Sequence, residues 1–268
     1  MVVLSPGSSR MAWQWVSALG HALEAPVPSL FTFTISHPLI GGLAGLSVPD
    51  AEVTLVSAAQ KKKLKERGPL LVTHQGLSGP GVLRLSAFGA RQLHALDYNA
   101  TVRVNWRPDM PGGVEGVVGE LEAFKKFQGS KAIGGNSGPT LELPRRLWQN
   151  MVAAVPIAPD LKWCEVKKTD LRKLATLVAQ CDLHVSGKNT NKDEFVTAGG
   201  VSLPGVDMSR MHSKSVPGLF FCGEVLDIDG VTGGYNLQSA WTTGTIAGRS
   251  IANMALSDRA LSQDPSPT

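Results

Sequence analysis

Hydrophobic and polar positions change period several times along the chain, and each change marks an element. Val2-Val3-Leu4 is a short apolar strand, followed by a Ser/Pro/Gly turn. Ala12, Trp15, Val16, Leu19, Ala22 and Leu23 then recur at helical spacing, which predicts a helix capped by Ser8 or Ser9 and ended by Pro26 and Pro28. Next the period drops to two in Phe31–Ile35, Val53–Val56 and Thr101–Trp106. Alternation of that kind predicts half-buried strands, so residues 31–106 read as a β-rich unit in the manner of a small barrel. From 107 to 180 the alternation is gone. Leu121 with Phe124, then Leu147, Met151, Val152 and Val155, then Leu171, Leu174, Ala175 and Val178 predict three helices, the last capped by Thr169 or Asp170. A strand returns at Leu183-His184-Val185, and a buried-type strand follows at 218–223. A long helix begins after Gly234, with Leu237, Ala240, Trp241, Gly244, Gly248, Ile251, Ala252 and Ala255 as its expected apolar face. Residues 259–268 read as a disordered polar tail.

Composition narrows the class. Of 268 residues, 43% are apolar and 18% charged, enough for a core and too little charge for a solvating disordered chain. The formal charge of +4 gives a pI near 9.0, a mild bias that does not by itself indicate nucleic acid. The basic run Lys61–Arg67 is a nucleic-acid patch or a solvated hairpin loop, the loop being favoured because no aromatics interleave it. No apolar run nears the ~20 residues of a membrane span, so no membrane partner is expected. Cys164, Cys181 and Cys222 are scattered without C-x-x-C spacing, and His21, His37, His94, His184 and His212 form no ligand pattern. Neither a disulfide framework nor a metal site is expected. A reducing, intracellular compartment, cytoplasm or plastid, fits this usage, and no secretory pattern opens the sequence.

The most informative stretch is Gly218–Ala252. A short strand ends at Gly223-Glu224, a loop carries Asp227, Asp229 and Gly230, and Gly233-Gly234 leads into the long helix. Paired glycines admit positive φ and close approach of a ligand. Free N–H groups at a helix start favour negative charge. The Gly244-x-x-x-Gly248 spacing reads as tight packing rather than a membrane dimer, given Asn236, Gln238, Arg249 and Asn253 nearby.

This strand, Gly-Glu, loop, Gly-Gly and helix order resembles the second flavin-contacting motif of flavoproteins with two dinucleotide-type folds. Leu71–Pro80 (LVTHQGLSGP), 193–201 (DEFVTAGGV) and the GEVLDIDGVTGGYNLQSAW block resemble, in this order, the YhiN/BaiN-type flavoproteins, a family of NAD(P)/FAD-dependent oxidoreductases. The opening thirty-five residues resemble the same family, plant and algal members most of all. The resemblance implies a mixed α/β (α+β) fold. A partial FAD-binding domain of the two-dinucleotide type (1–30 and 190–258) would carry an inserted β-barrel (31–106 and 181–189), itself interrupted by a helical subdomain (107–180). One family feature is missing from the sequence, the strand–G-x-G-x-x-G–helix that cradles the FAD pyrophosphate. Gly41-Gly42-Leu43-Ala44-Gly45 has the wrong spacing. That departure makes the chain read as a fragment lacking the adenine- and pyrophosphate-binding half.

By the resemblance, FAD is the cofactor, NAD(P)H an electron source, and the activity hydride transfer between a small-molecule substrate and the flavin. The other reading is a non-catalytic binding or assembly module that keeps the inserted domain. Glu224 following Gly223 is a ribityl contact or a surface carboxylate. Gly233, Gly234, Tyr235, Asn236 and Leu237 are a flavin-facing helix start or an ordinary tight turn. Thr197 and Gly199 bring backbone amides to the cofactor, and Asp227 and Asp229 read as Asx caps of their turn. His74 is a proton donor or a side chain that fixes its loop by hydrogen bonds, with Thr73 and Ser78 structural beside it. Trp13, Trp15 and Trp241 are expected in the core. No nucleic-acid partner is expected.

Overall fold

The computed structural model describes residues 1–56, 64–138, 140–189 and 196–262, with side chains to Ser257. In chain order come β1 (Val2–Leu4), α1 (Arg10–Ala18), β2 (Leu23–Ser29), β3 (Thr32–Thr34), β4 (Ser47–Val56), β5 (Leu64–Val72), β6 (Gly76–Ser78), α2 (Pro80–Phe88), α3 (Ala90–Ala95) and β7 (Ala100–Asn105). Then follow α4 (Gly113–Phe127), α5 (Arg145–Ala154), α6 (Lys168–Ala179), β8 (Cys181–Val185), β9 (Gly187–Asn189), β10 (Val196–Val201), β11 (Val206–Asp207), β12 (His212–Ser213), β13 (Leu219–Phe221) and α7 (Tyr235–Ser262). The fold is mixed α/β. It divides into a terminal unit, Met1–Ser29 with Phe195–Thr268, and a central unit, Leu30–Glu194.

In the terminal unit β1 lies parallel to β13, pairing Val2 with Leu219 and Leu4 with Phe221, and β12 and β11 extend that sheet. Ser9 caps α1 by accepting the Ala12 N–H, and Ala12 and Val16 form its buried face. The helix stops at Leu19-Gly20, well before the two prolines. Pro26 and Pro28 instead lie inside β2, which pairs antiparallel with β10 in a two-stranded sheet. Proline suits an extended strand whose other edge carries no ladder. Behind β13, Phe220 and Phe221 pack with Val16, Val201, Val225, Leu226 and Ala247.

α7 departs from its expected face. Thr243 and Ala247 are its buried residues, flanked by the partly buried Ile246, Ile251 and Met254, while Leu237, Trp241, Gly248 and Ala252 are exposed. The helix carries two apolar stripes about a third of a turn apart, and periodicity does not say which one packs. The helix also continues to Ser262, so 259–262 are not the tail expected there; 263–268 lie outside the described residues. Trp15 and Trp241 are 53% and 64% exposed, contrary to their expected burial, whereas Trp13 packs against the core.

The central unit is built on a seven-stranded sheet of order β8-β7-β4-β5-β6-β3-β9. Its two outer strands are neighbours in sequence, separated only by Ser186, whose N–H donates to Thr34 O at 3.0 Å. The 181–189 segment is therefore one bent strand that pairs with β7 through its first half and with β3 through its second. The sheet curls back on itself like a barrel, although among the described residues no ladder joins β8 to β9. Lys65, Glu66 and Arg67, expected in a loop, belong to β5, where Lys65 and Arg67 pair with Glu52 and Asp50 of β4. Lys61–Lys63 lie outside the described residues.

The helices at 113–127, 145–154 and 168–179 share one core with that sheet. Trp106, Trp148 and Trp163 are fully buried, the last two stacked with centroids 6.0 Å apart. Trp148 Nε1 donates to Ile133 O at 2.7 Å, which satisfies the indole in an apolar setting. α6 begins at Lys168 without a side-chain cap, and Asp170 sits in its first turn paired with Lys173 instead of capping it.

Candidate functional site

The 3-10 turn Gly223–Val225 follows β13 directly. Gly223 has φ +74°, a left-handed conformation that glycine adopts without strain. Its N–H donates to Thr243 Oγ1 of α7 at 2.9 Å, and that hydroxyl donates in turn to Ser239 O at 2.7 Å. The turn is thereby tied to the helix. Glu224 projects from it, half-buried, and its Oε1 accepts the Thr197 N–H at 2.9 Å. Its other oxygen, Oε2, lies 3.7 Å from where a side chain on Gly7 would begin. So Glu224 is more than a surface carboxylate: it is held between β10 and the turn after β1, with one oxygen engaged by backbone.

Thr197 thus contributes its amide to Glu224. Gly199 has a different occupation. A Cβ there would stand 2.6 Å from Ala25 O, and one on Gly200 would stand 2.5 Å from Val225 O. These glycines sit at the irregularity between Ala198 and Gly200, where the β10–β2 register shifts. Close strand packing explains them.

At the start of α7, Asn236 closes the preceding loop. Its side-chain amide accepts from Gly230 N at 2.7 Å and donates to Gly230 O at 2.9 Å. Gly233 and Gly234 have φ +110° and +85°, both are exposed, and Gly234 has open space where a side chain would be. Tyr235 and Leu237 are each 61% exposed. The loop is braced by Asn236, and Asp229 of the same loop accepts from Ser29 Oγ at 3.3 Å. What remains open is a glycine pair and a helix start with exposed aromatic and aliphatic side chains. That arrangement presents backbone N–H groups to an anionic or electron-rich group.

His74 belongs to the central unit, on the turn between β5 and β6. Thr73 fixes that turn: its Oγ1 accepts the N–H groups of Gln75 and Gly76 at 3.3 and 3.1 Å. Gly76 is required there because a Cβ would stand 2.2 Å from Phe33 O. Ser78 is structural, accepting from Thr32 Oγ1 at 2.9 Å. His74 itself is exposed, so the loop-fixing work expected of it is done by Thr73.

A family model described as HI0933-like protein barrel and H2TH domain matches residues 27–196, well over half of the chain. The chain belongs to the HI0933-like family. That is the flavoprotein oxidoreductase family its motifs resemble. The matched span coincides closely with the central unit, whose curled sheet and helices are the barrel and helical parts of an HI0933-like domain. Among similar curated proteins, the ribosomal RNA dihydrouridine synthase of Escherichia coli (strain K12) is 29% identical over 242 residues, covering 88% of this chain and 55% of that protein. The 3-dehydro-bile acid delta(4,6)-reductase of Clostridium scindens is 27% identical over 253 residues, covering 92% and 59%. The ribosomal RNA dihydrouridine synthase of Haemophilus influenzae is 27% identical over 248 residues, covering 92% and 57%. This HI0933-like chain spans 55–59% of the length of these relatives.

Other groups in the HI0933-like chain fall outside this chemistry. Burial pushes the Cys181 thiol up to about 12 and raises Cys222 as well, so neither is a nucleophile near neutral pH. No cluster of potential metal ligands occurs among the described residues, and none of their helices is long and apolar enough to cross a membrane. Sequence reasoning missed three participants: Thr243, Asn236 as a loop brace, and Gly7 beside Glu224. A hydroxyl eight residues into a helix and a Ser-Pro-Gly turn after a strand were the available signals.

Proposed function

We propose that this chain carries the ribityl- and ring-binding part of an FAD site and serves a two-electron reduction of a C=C bond conjugated to a carbonyl. Glu224, clamped by Thr197 between two glycine turns in a member of the HI0933-like family, is the observation that carries the reading. The residues present fit that part of the cofactor. Glu224 keeps Oε2 for a ribityl hydroxyl while Oε1 is occupied by backbone. Gly233 and Gly234 leave the backbone bare at the α7 start, and the helix dipole there stabilises negative charge. No residue of this chain is assigned to the pyrophosphate. When bound, FAD supplies the hydride chemistry, with NAD(P)H as the electron source.

The relatives support the reaction class. Dihydrouridine is uridine with its 5,6 double bond saturated, and a delta(4,6)-reductase saturates ring double bonds; both additions take one hydride and one proton. Three free cysteines, Cys164 exposed and Cys181 and Cys222 buried, suit a reducing cell compartment.

The test is the visible spectrum of the purified chain after incubation with FAD and desalting. A retained flavin band, lost in Glu224→Ala and bleached by NADH or NADPH, is the expected result. A colourless wild-type chain would favour the binding-module reading instead.

A further inference from the structure

The two parts of the proposed flavin site stand on different elements: Glu224 on the Gly223–Val225 turn, and bare glycine backbone at the start of α7. Backbone bonds fix the two ends of the turn to the strands around it. Cys222 N–H donates to Leu4 O at 3.1 Å on one side, and Asp227 N–H donates to Val201 O at 3.0 Å on the other. Neither bond reaches α7. The turn meets that helix at Ala240, whose Cβ lies 3.8 Å from where a side chain on Gly223 would begin. It is bonded to the helix through Thr243, whose Oγ1 accepts the Gly223 N–H at 2.9 Å.

Helix formation alone does not account for Thr243. It is 5% exposed on the face of α7 that also buries Ala247. A β-branched residue is a modest helix former, and a buried hydroxyl costs free energy unless it is bonded. The Thr243 proton goes to Ser239 O at 2.7 Å, which leaves the oxygen lone pairs for the Gly223 N–H. Thr245 supplies the contrast on the same helix. Its Oγ1 also donates four residues back, to Trp241 O at 2.7 Å, yet it is exposed and accepts from no N–H among the described residues. The bond within the helix is common to both threonines; the bond to the turn belongs to Thr243. From that turn Glu224 holds the Thr197 N–H, so a fixed turn passes its position on to β10.

We propose that Thr243 is a positioning residue of the flavin site, its hydroxyl setting the Gly223 turn, and with it Glu224, against α7. The inference rests on the FAD reading for its consequence, but the coupling it describes exists without flavin. Residue-resolved amide hydrogen exchange of the full chain without FAD tests that coupling in wild type, Thr243→Val, Thr243→Ser and Thr245→Val. Thr243→Val is expected to speed exchange at both Gly223 and Thr197 by about tenfold or more, while Phe221, bonded to Met211 O, is unchanged. Thr243→Ser, which keeps the hydroxyl, and Thr245→Val are expected to stay within about threefold of wild type at all three amides. Equal acceleration at Phe221 would show a merely structural role, and acceleration at Gly223 alone would show that Thr243 does not act on Glu224. Either result overturns the proposal. Wild type gives a second check should Thr243→Val fail to fold: with rising urea Gly223 and Thr197 are expected to open together, and separate opening contradicts the coupling. FAD titration of the same four proteins reads the consequence, with binding about tenfold weaker in Thr243→Val and within about threefold of wild type in the other two variants. A chain with coupled amides that takes up no FAD refutes the cofactor reading alone. Equal FAD affinity in wild type and Thr243→Val refutes this inference alone.

Discussion

Sixteen large apolar side chains are exposed among the described residues, and eleven of them belong to the terminal unit, although the central unit is the longer. In the central unit the tryptophans at 106, 148 and 163 are buried inside one continuous core. In the terminal unit Trp15 and Trp241 lie on the surface, as do Val2 and Val3 of β1 and Tyr235 and Leu237 of α7. The difference separates two uses of apolar residues. One unit buries them to fold; the other keeps many of them outside its core, beside a braced carboxylate and bare glycine backbone.

Truncating one tryptophan in each unit separates the two uses most strongly. Trp148→Ala removes a stacked, hydrogen-bonded indole and is expected to cost about 3–5 kcal/mol. Trp241→Ala, on an exposed stripe, is expected to cost less than about 0.5 kcal/mol. Urea unfolding followed separately for each unit measures both, and equal costs would dissolve the distinction.

Within the terminal unit, two glycines differ in the same way. Gly200→Ala drives a Cβ to 2.5 Å from Val225 O at a positive φ of +131°, and about 2–3 kcal/mol of destabilisation is expected. Gly234→Ala meets open space, leaving only the conformational cost of about 1 kcal/mol. Thermal melts of the two variants should rank them in that order, and Gly234→Ala should lose more flavin than stability.

A subtler difference is pH dependence. Burial lowers the pKa of His21 from 6.5, and its Nε2 lies 2.9 Å from Ser213 Oγ in the terminal unit. The folded state keeps the ring neutral, so below pH 6.5 the unfolded chain binds more protons. Stability is full above that pH and falls as pH drops through the window between 6.5 and the lowered value. His21→Gln is expected to flatten the difference in melting temperature between about pH 7.5 and about pH 5.5. An unchanged slope would show that His21 is not the group responsible. The smallest effect is on the central unit's surface: Lys173→Ala, which removes the pair with Asp170 at i,i+3, is expected to shift stability by at most about 0.5 kcal/mol.

Much of this arrangement was legible in the residues. Alternation located β4 and β7, helical spacing located α4, α5 and α6, and Ser9 was among the caps foreseen for α1. The failures share a cause, which is that local pattern does not know its tertiary partner. Pro26 and Pro28 read as helix breakers because nothing local announces that β10 will pair with an extended 23–29 segment from far along the chain. On α7 one apolar face was read as core, and the stripe of Leu237, Trp241, Gly248 and Ala252 within it remained outside. Barrel curvature came from a bent strand at Ser186, a feature no periodicity records. At the site, Gly223-Glu224 and Gly233-Gly234 stood out through their motif, while the Glu224–Thr197 bond joins residues 27 apart and needed the fold. His74 was visible as a candidate, yet only the structure shows Thr73 doing the loop's work and His74 exposed.

Under the proposed assignment, FAD binds the terminal unit at Glu224 and the α7 start. Amide hydrogen exchange of the full chain with and without FAD tests it most directly. Protection by FAD is expected at 196–200, 223–226 and 231–238, and to disappear in Glu224→Ala. Protection confined to the central unit, or none at those three segments while flavin is bound, would contradict the account.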